Sequence, residues 1–368
     1  MQANNFQTDI NSINVVDLNL KNKEKLNVVS LFSGCGGMDL GFRGNFKFLG
    51  KHYDENPFNI IFANDIFQQA MEVYSHNFNH EPFAGSIDEI EISEIPKADI
   101  VIGGFPCQDF SLAGKRKGLT SERGRLYQHM IRVIKHCGAK AFIAENVDGI
   151  RTNKTSETLD ETSLDVILRD FQKEGYIVKY RVLNAADYGV PQSRRRVIIM
   201  GIKEEIFNGI YYPDTTHRDY SLLEMDNDKD FWVSAKDALE DIWDKIDSPD
   251  VLNHTSKHYS KAKFYPGRKM QGNNRISKDK PSCTIRAEHH GNIEAHYNTT
   301  LPDENNMEGW RRLSIRECAR LQSFPDDFNF VASTSSAYKM IGNAVPPVMA
   351  WHIARALYYT LKNNILNH

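Results

Sequence analysis

The chain lacks several features that would assign it to a broad class of protein. Its five cysteines contain no Cys-x-x-Cys pair, which argues against both a zinc finger and a disulfide framework. No apolar run approaches membrane-spanning length, and the start of the chain has neither the basic nor the apolar region of a secretory signal. We therefore expect a cytoplasmic protein without membrane contacts.

The net charge of −3 gives no sign of a polyanionic partner, but the charges are unevenly distributed along the chain. Acidic residues predominate between positions 214 and 250, and basic residues predominate between positions 257 and 286. Such blocks either create local fields that the net charge conceals or form solvated faces. With 368 residues, the chain can form one large globular domain and a smaller one.

The segment from Gly103 to Ser111 contains a candidate nucleophile, Cys107. It follows an apolar run, residues 98–102, so the cysteine is predicted to lie in a loop at the carboxyl end of a buried strand. Ligands of open α/β sheets bind at that edge. A lone cysteine can also be a small buried hydrophobic residue, so this interpretation depends on partners elsewhere in the chain.

Strands and helices alternate over the first 200 residues, which predicts an α/β fold with a mostly parallel, doubly wound sheet. A strand at residues 28–32 leads into a glycine-rich turn, which suits a nucleotide-like ligand or is merely a turn. Asp65, at the tip of the next strand, could hold a ribose diol or cap the following helix. A third turn contains Ser86, Ile87 and Asp88.

Charged residues are predicted at the same edge of the sheet. Glu145 ends an apolar strand, where a carboxylate is costly to bury without a partner or a function. Arg194, Arg195 and Arg196 run directly into another strand. Because side chains alternate between the two faces of a strand, at least one guanidinium should point inward, toward an anion or a hydrogen-bonding ligand.

The regular alternation ends after Ile202, which predicts a division of the chain. We expect a loose amino-terminal arm in residues 1–26, a larger domain from residues 27–202 and 335–368, and a smaller irregular domain in residues 203–334. The smaller domain contains His289, His290 and His296. Because adjacent histidines do not have the spacing of a zinc site, we predict no metal.

Six motifs follow one another along the chain. They are Phe-Ser-Gly-x-Gly-Gly at 32–37, Gly-Phe-Pro-Cys-Gln at 104–108, Glu-Asn-Val at 145–147, Gln-x-Arg-x-Arg at 192–196, Arg-Glu-x-Ala-Arg-Leu-Gln-x-Phe-Pro at 316–325 and Gly-Asn-Ala-Val-Pro-Pro at 342–347. With these motifs the chain resembles the cytosine-C5 DNA methyltransferases from Val28 to its last helix. The resemblance implies a Rossmann-like fold that binds S-adenosylmethionine, with a smaller target-recognition domain.

The resemblance also implies roles for the catalytic residues. Cys107 would attack C6 of a cytosine, and Glu145 would hydrogen-bond N3 and the exocyclic amine. Arg196 would bind the cytosine O2, and Arg194 would support the loop and backbone. The target base would have to leave the double helix to reach the sulfur, and its C5 would receive the methyl group.

For the cofactor, the resemblance implies a set of residues from the three turns and from three later segments. They are Phe32, Gly34, Gly36, Gly37, Asp65, Ile66, Ser86, Ile87, Gly104, Pro106, Leu126 and Asn343. Two positions depart from the family pattern. Asp65 stands where glutamate is usual, and Ser86 stands where an aspartate usually binds the adenine amine, so either Ser86 or Asp88 could meet the adenine.

We expect the partner to be double-stranded DNA containing a short specific site. Lys115, Arg116 and Lys117 are predicted to meet phosphates. Gln192, Thr284 and Arg286 are also predicted to contact DNA. A monomeric enzyme of a restriction-modification system is expected, which would shield the site from a partner endonuclease.

Two alternatives stay open. One is a tRNA cytosine-C5 methyltransferase of similar fold, although those sequences usually have Pro-Pro-Cys where this chain has Phe105-Pro106-Cys107. The other is a non-catalytic, S-adenosylmethionine-dependent DNA-binding module. Such a module would be expected to lose Cys107 or Glu145, and both are present.

Overall fold

A computed structural model describes residues 10–78, 80–106, 126–153, 161–221, 228–258, 275–287, 297–298 and 311–365. Several residues predicted from the sequence lie outside these ranges, namely Cys107, Lys115, Arg116, Lys117, His289, His290 and His296.

The described residues form sixteen strands and eight α-helices. The strands are β1 (Ile10–Ile13), β2 (Leu26–Leu31), β3 (Phe46–Phe48), β4 (Lys51–Tyr53), β5 (Phe58–Asp65), β6 (Phe83–Ala84), β7 (Ile100–Gly103), β8 (Ala141–Val147), β9 (Tyr176–Asn184), β10 (Arg195–Lys203), β11 (Ile210–Pro213), β12 (His217–Arg218), β13 (Asp230–Phe231), β14 (Arg275–Ile276), β15 (Tyr297–Asn298) and β16 (Arg311–Arg312). The helices are α1 (Gly37–Arg43), α2 (Gln68–Asn77), α3 (Leu126–Cys137), α4 (Ser163–Lys173), α5 (Ala235–Trp243), α6 (Ile315–Leu321), α7 (Thr334–Asn343) and α8 (Pro347–Ile365).

Seven strands form the central sheet in the order β6-β5-β2-β7-β8-β10-β9. The first five are parallel to one another, whereas β10 is antiparallel to both of its neighbours. The chain proceeds from β2 outward to β5 and β6 and then returns to β7 on the other side of β2. Ligands of doubly wound sheets bind at such a reversal. The predicted α/β fold with a mostly parallel, doubly wound sheet is confirmed.

Burial explains why these strands are central. All four residues of β7 and the first six of β8 are buried, as expected for parallel strands covered by helices on both faces. Residues 126–137 form α3, which turns Met130, Val133 and Ile134 toward the sheet core. On the other face, α1 and α8 pack together, and Gly41 allows the contact, because a Cβ there would lie 2.5 Å from Ala350.

The amino-terminal segment differs from the predicted loose arm. Residues 10–13 form β1, which pairs in parallel with β11. Arg355 of α8 is buried and donates hydrogen bonds to the carbonyls of Val15 and Leu18. The prediction is therefore wrong for residues 10–26. Contacts with distant parts of the chain hold this segment, and such contacts leave no periodic pattern in the local sequence.

The chain after Ile202 first contributes β11, which packs against α8, and then forms the helices α5 and α6. Ser234 and Ser314 are the N-caps of these helices, and each forms a capping box with the acidic residue three positions later. The division into two domains stays a prediction, except that β11 lies with the larger domain. Among the described helices, none combines the length and the apolar character needed to cross a membrane.

Candidate active site

The predicted site residues lie along one edge of the central sheet. Strand pairing places Asn64 beside Leu31, Leu31 beside Gly103, and Gly103 beside Ala144. Asn64, Leu31 and Gly103 are at or next to the carboxyl ends of their parallel strands, and Ala144 directly precedes Glu145 in β8. The glycine-rich turn, Asp65, the Gly104 segment and the end of β8 therefore meet at one edge, although they are far apart in the sequence.

The glycine-rich turn after β2 has an unusual backbone. Phe32, Gly34 and Gly36 have φ angles of 54°, 54° and 87°. Glycine adopts such angles easily, but a bulky residue such as Phe32 is strained there. A Cβ on Gly36 would lie 2.4 Å from the Phe78 ring, whereas a Cβ on Gly34 would meet no atom within 4 Å. The turn is therefore packed on one side and open on the other, as a backbone cradle for a ligand requires.

Asp65 fixes this turn. Its Oδ2 accepts a hydrogen bond from the Gly34 N–H at 2.9 Å, and its Oδ1 accepts one from the Phe67 N–H at 2.8 Å. Burial raises the pKa of Asp65, and the backbone donors oppose that shift. Because α2 begins at Gln68 without a side-chain cap, the helix-cap alternative for Asp65 is wrong. The neighbouring Ile66 side chain is 73% exposed at this edge.

The third turn is tied to β5. Asn64 donates from Nδ2 to the Gly85 carbonyl at 2.8 Å, and Ile87 is buried. Ser86 donates a hydrogen bond to Asp88, and this bond lowers the pKa of the Asp88 carboxyl group. The two candidates that the sequence left open therefore form one hydrogen-bonded unit.

Glu145, near the end of β8, is paired with Arg196, near the start of β10. The Arg196 Nε lies 2.9 Å from the Glu145 Oε1, and both side chains are largely buried. The two residues meet because β10 is antiparallel to β8, so Arg196 pairs with Val147. A Cβ on Gly104 would lie 2.9 Å from the Glu145 Oε2, so glycine leaves room for this carboxylate. The Glu145 carboxylate, an acceptor, and the Arg196 guanidinium, a donor, thus lie next to each other at the sheet edge.

Asn146 connects Glu145 to the segment that precedes Cys107. Its Nδ2 donates to the Phe105 carbonyl at 3.0 Å, and Phe105 is itself buried. The described chain stops at Pro106 and resumes at Leu126, the first residue of α3. The backbone that leads into Cys107 is therefore anchored to the residue after Glu145.

Arg194 and Gln192 are buried and hold three distant segments together. The Arg194 guanidinium donates to the carbonyls of Ile285 at 3.1 Å and Gly342 at 2.9 Å. Gln192 donates from Nε2 to the Leu321 carbonyl at 3.1 Å and accepts at Oε1 from the Ile285 N–H at 3.0 Å. Burial lowers the pKa of Arg194 well below its usual value. The sequence predicted at least one inward guanidinium, and two point inward: Arg194 toward backbone carbonyls and Arg196 toward the Glu145 carboxylate.

The structure corrects the direct DNA contact predicted for Gln192, whose side chain is fully buried. Thr284 is partly buried and donates from Oγ1 to the Ser193 carbonyl at 2.8 Å. Arg286 is exposed, and its main chain packs so tightly on Gly342 that a Cβ there would lie 2.3 Å from the Arg286 carbonyl carbon. Asn343, which follows at the end of α7, is exposed.

Three cysteines of the described chain are poor candidates for a nucleophile. Cys35, Cys137 and Cys318 are buried, and burial raises the pKa of each thiol. A nucleophilic cysteine instead needs a surrounding that favours its thiolate. These three thiols are better explained as core packing residues.

Residues 26–359 match the family model described as C-5 cytosine-specific DNA methylase. The chain belongs to this family. Among its curated relatives, the Type II methyltransferase M.BsuRI of Bacillus subtilis is 34% identical, over 95% of this chain and 82% of that protein. The Type II methyltransferase M.NgoFVII of Neisseria gonorrhoeae is 32% identical, over 93% of this chain and 88% of that protein.

Solved structures agree on the fold. The Dnmt2 methyltransferase of S. pombe has a TM-score of 0.62 at 21% identity, covering 94% of this chain and 100% of its own. The EhMeth methyltransferase of Entamoeba histolytica has a TM-score of 0.59 at 17% identity, covering 93% of this chain and 99% of its own. The methylase therefore has the Rossmann-like fold of S-adenosylmethionine-dependent methyltransferases. It is a DNA (cytosine-5-)-methyltransferase that uses S-adenosylmethionine.

Three residues that support the methylase site were not singled out from the sequence. Asn146 and Gln322 lie within quoted motifs, so the motifs themselves contained the signal. Gln322 donates from Nε2 to the Ile341 carbonyl at 3.0 Å and contacts Gln192. Asp39, in the first turn of α1, is fully buried and accepts a hydrogen bond from the Tyr74 hydroxyl at 3.0 Å. Burial raises the pKa of Asp39 to about 6.

Proposed function

We propose that the methylase acts through a transient covalent bond between the Cys107 sulfur and C6 of a cytosine flipped out of duplex DNA. The observation that carries this proposal is the Glu145–Arg196 pair at the sheet edge. The Asn146–Phe105 hydrogen bond ties that pair to the segment that leads into Cys107. A thiol, a carboxylate and a guanidinium from three segments would thus act on one pyrimidine ring.

The chemistry requires these groups because cytosine is a poor carbon nucleophile. Addition of the Cys107 thiolate to C6 pushes electron density onto the ring. Glu145, hydrogen-bonded to N3 and the exocyclic amine, would neutralise that charge, and Arg196 would donate to O2. The electron pair at C5 would then take the methyl group that S-adenosylmethionine supplies, and the bond from that methyl carbon to the sulfonium sulfur would break, leaving a neutral thioether. Loss of the C5 proton and departure of the thiolate restore the ring.

Residues at the other end of the edge fit S-adenosylmethionine, which supplies an electrophilic methyl group. The space above Gly34 is open, and Asp65 retains lone pairs for ribose hydroxyls beyond the two hydrogen bonds that it accepts. The exposed Ile66 side chain suits the face of the adenine, and the Ser86–Asp88 unit suits its amine. The other proposed members of this set are Phe32, Gly36, Gly37, Ile87, Gly104, Pro106, Leu126 and Asn343.

Base flipping follows from the covalent step, because an enzyme thiol cannot reach C6 of a base that is stacked inside the duplex. We propose that Lys115, Arg116 and Lys117 bind phosphates and that Thr284 and Arg286 lie toward the target sequence. Gln192 would act indirectly, by holding the backbone of Ile285 next to both residues.

We further propose that the enzyme works as a monomer in a bacterial cytoplasm and protects a short DNA site from a partner endonuclease. The support is that its curated relatives are named Type II methyltransferases. Bisulfite sequencing of DNA from cells that express the protein should reveal one methylated short site. An endonuclease that cuts this site should be blocked on that DNA, and cutting at methylated copies would refute the protective role.

The catalytic proposal is tested with duplex DNA in which the target cytosine is replaced by 5-fluorocytosine. Because the C5 fluorine cannot leave as a proton does, the wild-type enzyme should be trapped in a denaturation-resistant complex when S-adenosylmethionine is present. Cys107→Ser should give no complex, and Cys137→Ser, a change at the last residue of α3 and outside the proposed site, should be trapped normally. Trapping by Cys107→Ser, or methyl transfer to tRNA and not to duplex DNA, would overturn the proposal.

A further inference from the structure

Two arginines outside the set described above share one carboxylate beside Glu145. The Arg151 Nε lies 2.6 Å from the Asp148 Oδ1, and the Arg195 Nε lies 3.1 Å from the Asp148 Oδ2. Asp148 is the first residue after β8, and Arg195 is the first residue of β10. The cluster therefore joins the ends of the two strands that carry the Glu145–Arg196 pair.

The side chains of β10 explain why Arg195 faces outward. Successive residues of a strand alternate between its faces, so Arg195 lies opposite Arg194 and Arg196. Arg194 and Arg196 point inward and are largely buried, whereas the Arg195 side chain is 60% exposed. As the first residue of β10, Arg195 lies at the same edge of the sheet as the Glu145–Arg196 pair, with its exposed guanidinium on the opposite face.

The cluster has more positive than negative charge. Two guanidiniums face one carboxylate, so pairing within the cluster leaves a net positive charge. Burial opposes ionisation of Asp148, but Arg151 and Arg195 together hold the pKa of its carboxyl group below the usual value, so the carboxylate stays charged. Each arginine uses its Nε for this pair, and the terminal nitrogens of a guanidinium provide further donors in a fixed plane. Asp148 thus pre-positions two cations for another anion.

We propose that Arg151 and Arg195, held by Asp148, bind a phosphate of the DNA backbone next to the flipped cytosine. The inference rests on the proposed function, because a nucleotide whose base reaches Glu145 brings its own phosphates to the same edge of the sheet. Guanidiniums are the preferred partners of phosphates, and backbone contacts set the position of a protein on DNA. The competing interpretation is a purely structural latch between β8 and β10.

Salt dependence separates the two interpretations. A phosphate contact releases counterions when it forms, so its loss makes binding less sensitive to salt. In Arg195→Gln the negative slope of log affinity against log salt concentration should become shallower by roughly 0.9, on specific and random duplexes alike. The affinity itself should fall several-fold at about 0.1 M salt. Arg195→Lys keeps the charge and should keep the slope. Arg169→Gln is the matched control, because Arg169 also pairs with one carboxylate, that of Glu161, but on α4, away from the strand ends.

Asp148→Asn is the second arm of the experiment. Removing the shared carboxylate leaves both cations uncompensated, so binding to random duplex DNA should tighten at low salt. Fluorescence anisotropy of labelled duplexes between 50 and about 300 mM salt measures both effects.

Three results would overturn the inference. They are an unchanged salt slope in Arg195→Gln, a fall in slope as large in Arg169→Gln, and weaker random-DNA binding by Asp148→Asn with a lowered melting temperature. The last result would indicate a structural latch. If the wild-type enzyme methylated no duplex DNA at all, the proposed function would fail, whereas normal methylation with unchanged slopes would reject this site alone.

Discussion

The two ends of the same sheet edge are built in different ways. At the end formed by β2 and β5, the glycine-rich turn is held by nearby residues, such as Asp65, which is 31 positions from its partner Gly34. At the end formed by β8 and β10, Gln192 reaches Leu321, 129 positions away, and Arg194 reaches Gly342, 148 positions away. The hydrogen bonds of Asp65 at the proposed cofactor end are short-range in sequence, although Gly37 of the same turn also packs on the Val345 carbonyl, whereas the hydrogen bonds of Gln192 and Arg194 at the proposed target end join distant segments.

This difference matches the two tasks proposed for the ends. A cofactor common to a whole family can be held by backbone N–H groups and a few side chains within one β-α-β unit. A target site must join the proposed catalytic residues to the segment proposed to read DNA, residues 282–287, which is hydrogen-bonded to Ser193 and packed on Gly342. Buried side chains bonded to backbone carbonyls make that connection. Substitutions at the two ends should therefore differ in kind.

The largest effect is expected for Glu145→Gln, which tests the target end directly. Glutamine cannot give a proton to N3 and so cannot neutralise the charge on the attacked ring, so methyl transfer should fall roughly 100- to 1000-fold. Initial rates with tritiated S-adenosylmethionine measure this. Glu205→Gln, at an exposed glutamate paired with Lys203, should leave the rate unchanged. A loss below about tenfold for Glu145→Gln would remove the main support for the proposed catalytic role.

Arg194→Met should have the next largest effect, and on folding rather than on one ligand. The change leaves the carbonyls of Ile285 and Gly342 without their donor, which should cost about 2 to 4 kcal/mol of unfolding free energy. Urea unfolding measures the loss. Arg169→Met, at a half-exposed surface arginine, should cost less than about 1 kcal/mol. Equal losses of unfolding free energy in the two variants would show that the buried hydrogen bonds of Arg194 contribute no more than a surface ion pair.

Asp39→Asn tests the cofactor end through its pH dependence. The folded-state pKa of Asp39 is about 6, above the usual 3.8, because burial disfavours the charged form. Folding therefore favours the neutral acid, and this stabilisation, present below about pH 4, is lost as the pH rises through 6. The asparagine variant should gain about 2 to 3 kcal/mol relative to wild type between pH 4 and 7. If the melting temperatures of the wild type and of Asp39→Asn changed in parallel with pH, this prediction would be contradicted.

The smallest effects are expected for a pair of glycines in the same turn. Gly36→Ala should cost about 2 kcal/mol of stability, because its Cβ would press on Phe78, whereas Gly34→Ala should cost about 1 kcal/mol from its φ angle alone. Cofactor affinity should show the reverse order, because the Gly34 methyl would enter the open side of the turn. Calorimetric titration with S-adenosylmethionine, together with urea unfolding, checks both orders.

Much of the fold could be predicted because it depends on local patterns. Residues 126–137 have a helical apolar repeat and form α3, and Ser314 with Glu317 gives a capping box that begins α6. Strand ends were less accurate. The strand predicted at residues 28–32 is β2, Leu26–Leu31, and the strand predicted to end in Glu145 continues to Val147, since a polar residue can continue a strand when its neighbour, here Arg196, satisfies it.

The errors in prediction share one cause. Residues 10–26 were predicted to be loose, but Arg355 and β11 hold them, and Gln192 was predicted to meet DNA, but Leu321 and Ile285 enclose it. In each case the partner lies far along the chain. A polar side chain therefore gives no local sign of whether it will face solvent or be buried with its hydrogen bonds satisfied.

The amino-acid sequence by itself determined the order of strands and helices, the glycine turns, the motif set and hence the family. These features follow from side-chain periodicity and backbone preference within short windows of the chain. The tertiary structure alone decided which of the three arginines is buried, which pairs with Glu145 and which faces outward. That choice depends on the register between β8 and β10 and on the carbonyls of segments that only folding brings together.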